Sequence, residues 1–150
     1  MQKLVYLMEL RGVPAGYRFR LYNYGPYSGD LAGDVSYIEA LEGVTVHFDY
    51  KRNVYKIAPG QESGTLIQKA PEFLRMNRSV IDHVIEQFGR RSARDLELLA
   101  TTAYLHKQFV GHAFRREDLH EQVKAVKPRF SDTEVSAAID ELVKEGYVRA

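Results

Sequence analysis

The spacing of apolar residues changes at Gly43, and this change constrains the fold more than any other feature of the sequence. Between residues 31 and 41, apolar side chains recur every three or four positions, as on one face of an amphipathic helix. At residues 44–48 they occupy every second position, as in a strand with two different faces. Residues 51–53 can form a turn before a return strand. We therefore predict a helix followed by a β-hairpin, which is the outline of a winged-helix module.

An aromatic segment runs from Tyr17 to Tyr27, directly before the predicted helix. If its first part is extended, alternate side chains face opposite sides, so we predict a strand or an extended edge segment. Gly25-Pro26 breaks this segment, because the residue before a proline is pushed away from helical angles. Ser28 follows as the predicted N-cap of the helix. The two faces would hold Tyr17, Phe19 and Leu21 on one side and Arg18, Arg20 and Tyr22 on the other.

Beyond a glycine-containing linker at 59–64, the chain has the pattern of a helical protein. Ser92 and Ser131 each precede an acidic residue at the spacing of a capping box, which predicts two helix starts. Tyr147-Val148 at the end would form a lone strand, or would lead into a hairpin if the natural chain continues. Together with a short helix near the start, the predicted helices outside the winged-helix outline cover residues 2–11, 71–88, 92–109, 115–126 and 131–145. The helix at 71–88 has one apolar face, formed by Phe73, Val80, Ile81, Val84, Ile85 and Phe88.

These patterns predict an α+β fold that is mainly α, built of helices with a small winged-helix-like β-hairpin module. At 150 residues the chain suits one compact domain. Within it we distinguish a winged-helix-like module at 1–58, the linker at 59–64, and a helical module at 65–150 that ends in a helix and a short strand.

Composition limits the classes of protein to which the chain can belong. Hydrophobic residues make up 45% of the chain and charged residues 27%, which is enough to build a core. The absence of cysteine excludes a disulfide scaffold and a thiolate metal site, and it fits a reducing compartment. No apolar run approaches the roughly 18 residues that a bilayer span needs, and Glu9 and Arg11 interrupt the short apolar start. We therefore predict a cytoplasmic protein without a membrane partner.

Sequence motifs for catalysis are missing. Ser28 lacks the first glycine of a nucleophile elbow, and no glycine-rich phosphate loop occurs at either standard spacing. The five histidines show no HExxH motif and no close i, i+4 pairing. We predict a non-enzymatic protein without a cofactor or metal. A metal site assembled only in the fold, or a hydrolase with a pocket of convergent polar groups, stays open as an alternative.

Charge distribution argues against a helix in the DNA major groove. Residues 28–42 carry four acids and no basic residue, and residues 131–145 carry five acids against one lysine, so each predicted helix has a net charge of −4. Such helices repel the phosphates that supply most of the affinity for nucleic acid. The alternative, a winged-helix DNA-binding regulator, would use the hairpin tip on phosphate and a basic stretch that follows. Its candidate residues are Lys51, Arg52, Arg75, Arg78, Arg90, Arg91 and Arg94.

The tyrosines around the Gly-Pro turn are the best candidates for binding a protein. Tyr22, Tyr24 and Tyr27 crowd one bend, and tyrosine is favoured at interfaces because it brings a large rigid surface at low entropic cost. Arg18 and Arg20 could stack on these rings or pair with acidic groups of a partner. We predict that these five residues form a partner-binding site. Acidic helices would suit a basic partner, and the sequence leaves a homo-oligomer open.

The first 60 residues resemble the Panacea domain, the SocA-like antitoxin family, and its bacterial and archaeal relatives. The resemblance is carried by Lys3-Leu-Val-Tyr-Leu7, by Phe19 and Tyr22, and by Tyr24-Gly-Pro-Tyr-Ser28 before an acidic helix. The departure is Tyr27-Ser28 after Gly-Pro, where antitoxin members more often show valine. The resemblance implies a mainly helical domain that neutralises a toxin by direct protein contact, without catalysis.

Overall fold

The computed structural model describes residues 1–109 and 115–149. Within these ranges it contains seven helices and two antiparallel two-stranded hairpins, which confirms the predicted mainly helical α+β class. The elements are α1 (Gln2–Leu10), β1 (Arg20–Tyr22), β2 (Gly25–Tyr27), α2 (Gly29–Ala40), β3 (Val44–Asp49), β4 (Val54–Pro59), α3 (Ser63–Ile67), α4 (Pro71–Phe88), α5 (Ala93–Lys107), α6 (Arg116–Val126) and α7 (Asp132–Lys144).

Serine side chains begin three of the helices, as the sequence predicts. The hydroxyls of Ser28, Ser92 and Ser131 accept the backbone N–H three residues further on, which satisfies one of the free donors of each first turn. At α7 the capping box is complete, because Glu134 also accepts the backbone N–H of Ser131. Pro71 begins α4 without losing a hydrogen bond.

Helix α5 is the centre of the hydrophobic core. It packs against α1, α6 and α7, and most of its residues from Leu96 to Leu105 are buried. Phe88 from α4, Leu119 and Val123 from α6, and Leu142 from α7 are fully enclosed around it. A helix buried on several faces shows little amphipathic pattern, so α5 fits the centre of the helical body.

The β3–β4 hairpin forms as predicted, with Val46 opposite Ile57, but it does not join this core. Asn53 completes its turn in the left-handed region at φ 53°, and the Asp49 carboxylate accepts two backbone N–H groups of the turn. No residue from 44 to 83 is buried. The same holds for most of the predicted apolar stripe of α2, where only Leu31 is buried.

Several details differ from the sequence prediction. Gly25-Pro26 does not end the extended segment, since Gly25–Tyr27 is itself the return strand β2 of a short hairpin. The predicted linker at 59–64 holds the last residue of β4 and the first two of α3, and the N–H of Gly60 donates to the carbonyl of Gly43. The terminal strand is not formed, because the N–H groups of Tyr147 and Val148 both turn back to the carbonyl of Leu142.

The apolar face predicted for α4 is only half correct. Val84 and Phe88 are buried, whereas Phe73 is 36% exposed and Ile85 is 49% exposed. The first turns of α4 therefore extend away from the core. Among the described residues, no helix is long and apolar enough to cross a membrane.

Candidate functional site

Residues 18–28 form a tyrosine-rich loop built on the β1–β2 hairpin, hereafter the tyrosine hairpin. Tyr22 is 58% exposed, Tyr24 70% and Tyr27 39%, and the rings of Tyr22 and Tyr27 pack edge to face at 5.6 Å. Arg18 and Arg20 are also exposed, so all five predicted site residues lie on the surface of one short segment. The alternation predicted for the first part is confirmed, because Tyr17, Phe19 and Leu21 are half-buried.

Strand β2 of this hairpin lies directly on helix α5. Gly25 and Pro26 are buried, and β2 packs against both α1 and α5. A Cβ atom at Gly25 would come within 3.0 Å of the Thr101 hydroxyl and 3.4 Å of the Glu97 carbonyl, and its φ of +93° also requires glycine. This close approach places the backbone of β2 against α5, while the side chains of Tyr22, Tyr24 and Tyr27 stay exposed to solvent.

A buried ion pair fixes the tip of the hairpin. The Glu97 carboxylate is 2.7 Å from the ammonium of Lys127, and the two side chains are only 4% and 7% exposed. Lys127 also donates to the carbonyl of Asn23 in the hairpin turn, and Arg129 binds the second oxygen of Glu97. Glu97, Lys127 and Arg129 form a clamp that joins the hairpin, α5 and the loop after α6. The clamp members need one another, because buried charges are stable only when they are paired.

Sequence reasoning missed the clamp, although one signal was present. Glu97 interrupts a run of leucines in α5, and a carboxylate in an apolar run needs a partner when it is buried. Lys3 of α1 adds a third cation. Burial lowers the pKa of Lys3, an effect that neighbouring Lys127 strengthens and Glu97 opposes.

Two further contacts hold the base of the hairpin. The Gln2 side chain accepts the N–H of Ser28 at 2.9 Å and donates to its carbonyl at 3.0 Å. The hydroxyl of Tyr17 donates to Asp34 of α2 at 2.7 Å. Desolvation and this hydrogen bond raise the pKa of Tyr17 to about 12. Ser28 is buried and caps α2, so its role is structural, as the sequence indicates.

The acids of α7 are not free to meet a partner, contrary to the expectation from charge alone. Each carboxylate from residue 132 to residue 145 lies beside a basic side chain of a neighbouring element. The pairs are Asp132 with Lys124 and His120, Glu134 with Arg94, Asp140 with Arg116, Glu141 with Arg91, and Glu145 with His83. In the stretch 28–42, which contains α2, all four acids are exposed, and none forms an ion pair with the residues that the structure describes.

Acid should weaken the connection between α7 and α5. The Arg94 guanidinium, with help from Ser131, lowers the pKa of Glu134 from 4.5 to about 2. A carboxyl group whose pKa is lowered on folding stabilises the fold at pH values above its ordinary pKa of 4.5. That stabilisation is lost as the pH falls towards about 2, where Glu134 is protonated. Glu134→Gln should therefore lower the melting temperature at pH 7 and have little effect near pH 2. Thermal unfolding at both pH values measures this, with Glu121→Gln, an exposed glutamate of α6, as the control. An equal shift at both pH values would contradict it.

The arginines of the nucleic-acid alternative are mostly engaged within the chain. Arg91 and Arg94 bind α7, and Arg75 and Arg78 pair with acids one turn away on α4. Lys51, Arg52 and Arg90 are exposed, and they form no ion pair within residues 1–109 and 115–149. The seven residues therefore do not form one free basic surface.

No constellation for metal binding stands out in the described ranges. They hold no group of three histidine or acidic side chains placed to bind a metal ion, and His112 lies outside them. Two surface depressions have volumes of about 270 and 330 Å³, and neither touches the tyrosine hairpin. Neither a family model nor a curated protein matches the chain.

Proposed function

We propose that this chain is a non-enzymatic, cytoplasmic regulatory domain that binds a protein partner through the tyrosine hairpin. The observation that carries the proposal is the exposure of Tyr22, Tyr24 and Tyr27 on a segment whose backbone is held by buried contacts. Large aromatic side chains on a rigid support lose little entropy on binding, which is the property of interface hot spots.

The charges around the hairpin indicate what a partner would present. Arg18 and Arg20 are exposed and have no carboxylate partner among the described residues, so both can pair with acidic groups. Because four of the five acids at 132–145 pair with arginine or lysine side chains, the expected basic surface on the partner would meet α2. A partner that fits the hairpin offers an apolar recess for the phenols with carboxylates at its edge.

The resemblance to the SocA-like antitoxins gives this proposal a specific form. The residues that carry it lie at and beneath the hairpin: Lys3 beside the clamp, Gly25 and Pro26 against α5, and Tyr24 at the tip. On this reading the partner is a cognate toxin, and binding at the hairpin blocks its action by direct contact.

The test is to purify the chain with the product of the adjacent gene and to measure their affinity by calorimetry. Tyr24→Ala combined with Tyr27→Ala should weaken the complex by at least about 30-fold, since each removes a hot-spot side chain. Tyr50→Ala combined with Tyr55→Ala removes two exposed rings from the other hairpin and serves as the matched control. Unchanged affinity in the first variant, or no complex at all, would refute the proposal.

The second candidate is a winged-helix DNA-binding regulator. Lys51 and Arg52 at the tip of the β3–β4 hairpin favour it, since they are exposed and form no ion pair with any residue that the structure describes. Phosphate contacts by these residues would give a mobility shift on duplex DNA that weakens steeply with salt. Gel-shift titration at two salt concentrations separates the two candidates. A salt-sensitive shift that is lost in Lys51→Ala/Arg52→Ala would support DNA binding.

A further inference from the structure

A second part of the surface, away from the tyrosine hairpin, is left uncovered. Residues 44–83 contribute no buried side chain, although they include several large apolar groups. Tyr50 is 87% exposed, Tyr55 and Met76 are each 71% exposed, and Ile67 is 55% exposed. Forty residues of β-hairpin and helix without a core of their own gain stability when another surface covers them.

The tip of the β3–β4 hairpin combines aromatic and basic side chains. Phe48 packs against the rings of both Tyr50 and Tyr55, with centroids 4.9 Å apart in each case. Lys56 is paired with Asp49 at 3.0 Å, whereas Lys51 and Arg52 carry no ion pair within the described ranges. The tip therefore presents two positive charges beside a fixed aromatic cluster.

Helix α2 presents the complementary pattern on its outer face. Asp30, Asp34, Tyr37 and Leu41 follow one another at the spacing of a single helical stripe, and all four are exposed. The stripe begins with two carboxylates and continues with two apolar side chains. The acids could pair with Lys51 and Arg52, and Tyr37 and Leu41 could pack against the aromatic cluster.

Within the described residues of one chain, Lys51 and Arg52 form no ion pair with the two carboxylates of the stripe, and no ring contact joins Tyr37 to the aromatic cluster. A second copy can bring both pairs together at once, since a two-fold axis repeats every contact.

We propose that the chain forms a two-fold symmetric dimer in which the β3–β4 tip of each copy binds the outer stripe of α2 on the other. Residues 18–28 of the tyrosine hairpin take no part in this contact, although Asp34 of the stripe also accepts the hydroxyl of Tyr17 at the base of that hairpin. The dimer depends on charge and therefore weakens as salt rises.

Sedimentation velocity over a range of protein concentrations tests the dimer, at about 0.05 M and about 0.5 M salt. The natural chain should dimerise, with a weaker dimer at high salt. Lys51→Glu/Arg52→Glu should raise the dimer Kd by at least about tenfold, as each attraction becomes a repulsion. Lys107→Glu/Arg90→Glu makes the same change in net charge at exposed positions elsewhere and should leave the Kd unchanged.

A mixing experiment gives the sharper result and also checks that the variants are folded. Asp30→Lys/Asp34→Lys should be monomeric by itself, for the same reason as the hairpin variant. Mixed in equal amounts, the two variants should form a heterodimer about as tight as the natural dimer, because both contacts regain opposite charges. Two misfolded chains could not produce this recovery.

Three outcomes would overturn the proposal. The natural chain could remain monomeric at all concentrations, or the hairpin variant could dimerise as tightly as the natural chain. The two charge-reversed variants could also fail to associate although circular dichroism shows both to be folded. If the natural chain is monomeric and binds a single-stranded oligonucleotide, and Lys51→Glu/Arg52→Glu does not, the tip of the β3–β4 hairpin would be a nucleic-acid site instead.

Discussion

Lys127→Met should be among the most destabilising substitutions in this chain, lowering the free energy of unfolding by about 3–5 kcal/mol. It leaves the buried Glu97 carboxylate with Arg129 as its remaining ion-pair partner, and it removes the donor to the Asn23 carbonyl. A buried group that loses its partner keeps its full cost of desolvation, which is why the effect is large. Urea denaturation followed by circular dichroism measures it.

Lys56→Met is the matched control for this prediction. Lys56 pairs with Asp49 on the surface, where its side chain is 57% exposed, so its loss should cost less than about 1 kcal/mol. Adding Glu97→Leu to Lys127→Met should recover part of the lost stability, because it removes the buried carboxylate that has lost its buried partner. Equal effects of the two lysine substitutions would show that the clamp contributes no more than a surface ion pair.

Phe88→Ala should cost about 3–5 kcal/mol, whereas Phe73→Ala on the same helix should cost less than about 1 kcal/mol. Phe88 is fully enclosed in the core and contacts the ring of Tyr147, while Phe73 is 36% exposed on the turns of α4 that extend outward. The same substitution on one helix removes differences in helix propensity from the comparison. Denaturant unfolding of both variants measures the two values.

The comparison of Phe88→Ala with Phe73→Ala shows where along α4 the hydrophobic core ends. Similar losses at both positions would mean that the first turns of α4 are covered in solution as firmly as the last. At low protein concentration that result would contradict the exposure of Phe73 on the first turns of α4. A larger loss from Phe73→Ala at high concentration alone would instead show that association covers it.

Local signals predicted the secondary structure well. A serine three residues before an acid or an apolar run marked the starts of α2, α5 and α7, since capping is a contact between neighbours in sequence. The alternation in β3 predicted its hairpin for the same reason. The exposure of Arg18, Arg20 and Tyr22 also followed from alternation along the extended segment.

Long-range contacts could not be predicted from one sequence. The bond from Lys127 to Asn23 spans 104 residues, and nothing local to either residue indicates the other. The pairing of α7 with basic residues of α4, α5 and α6 is of the same kind. Counting charges along α7 gave an acidic helix, whereas the neutralised surface depends on which elements pack beside it. The β1–β2 hairpin was missed because a Gly-Pro pair usually ends an extended segment. Here Gly25, at φ +93°, lets the chain reverse direction and pair with β1.

Hydrogen exchange of the chain, free and bound to the product of the adjacent gene, tests the central claim most directly. If the tyrosine hairpin is the binding surface, backbone amides between residues 18 and 28 should exchange more slowly in the complex, since the partner covers them. The same amides should be much less protected when the partner is added to Tyr24→Ala/Tyr27→Ala at a concentration that just saturates the natural chain. Protection confined to α6 and α7, with residues 18–28 unchanged, would contradict the account.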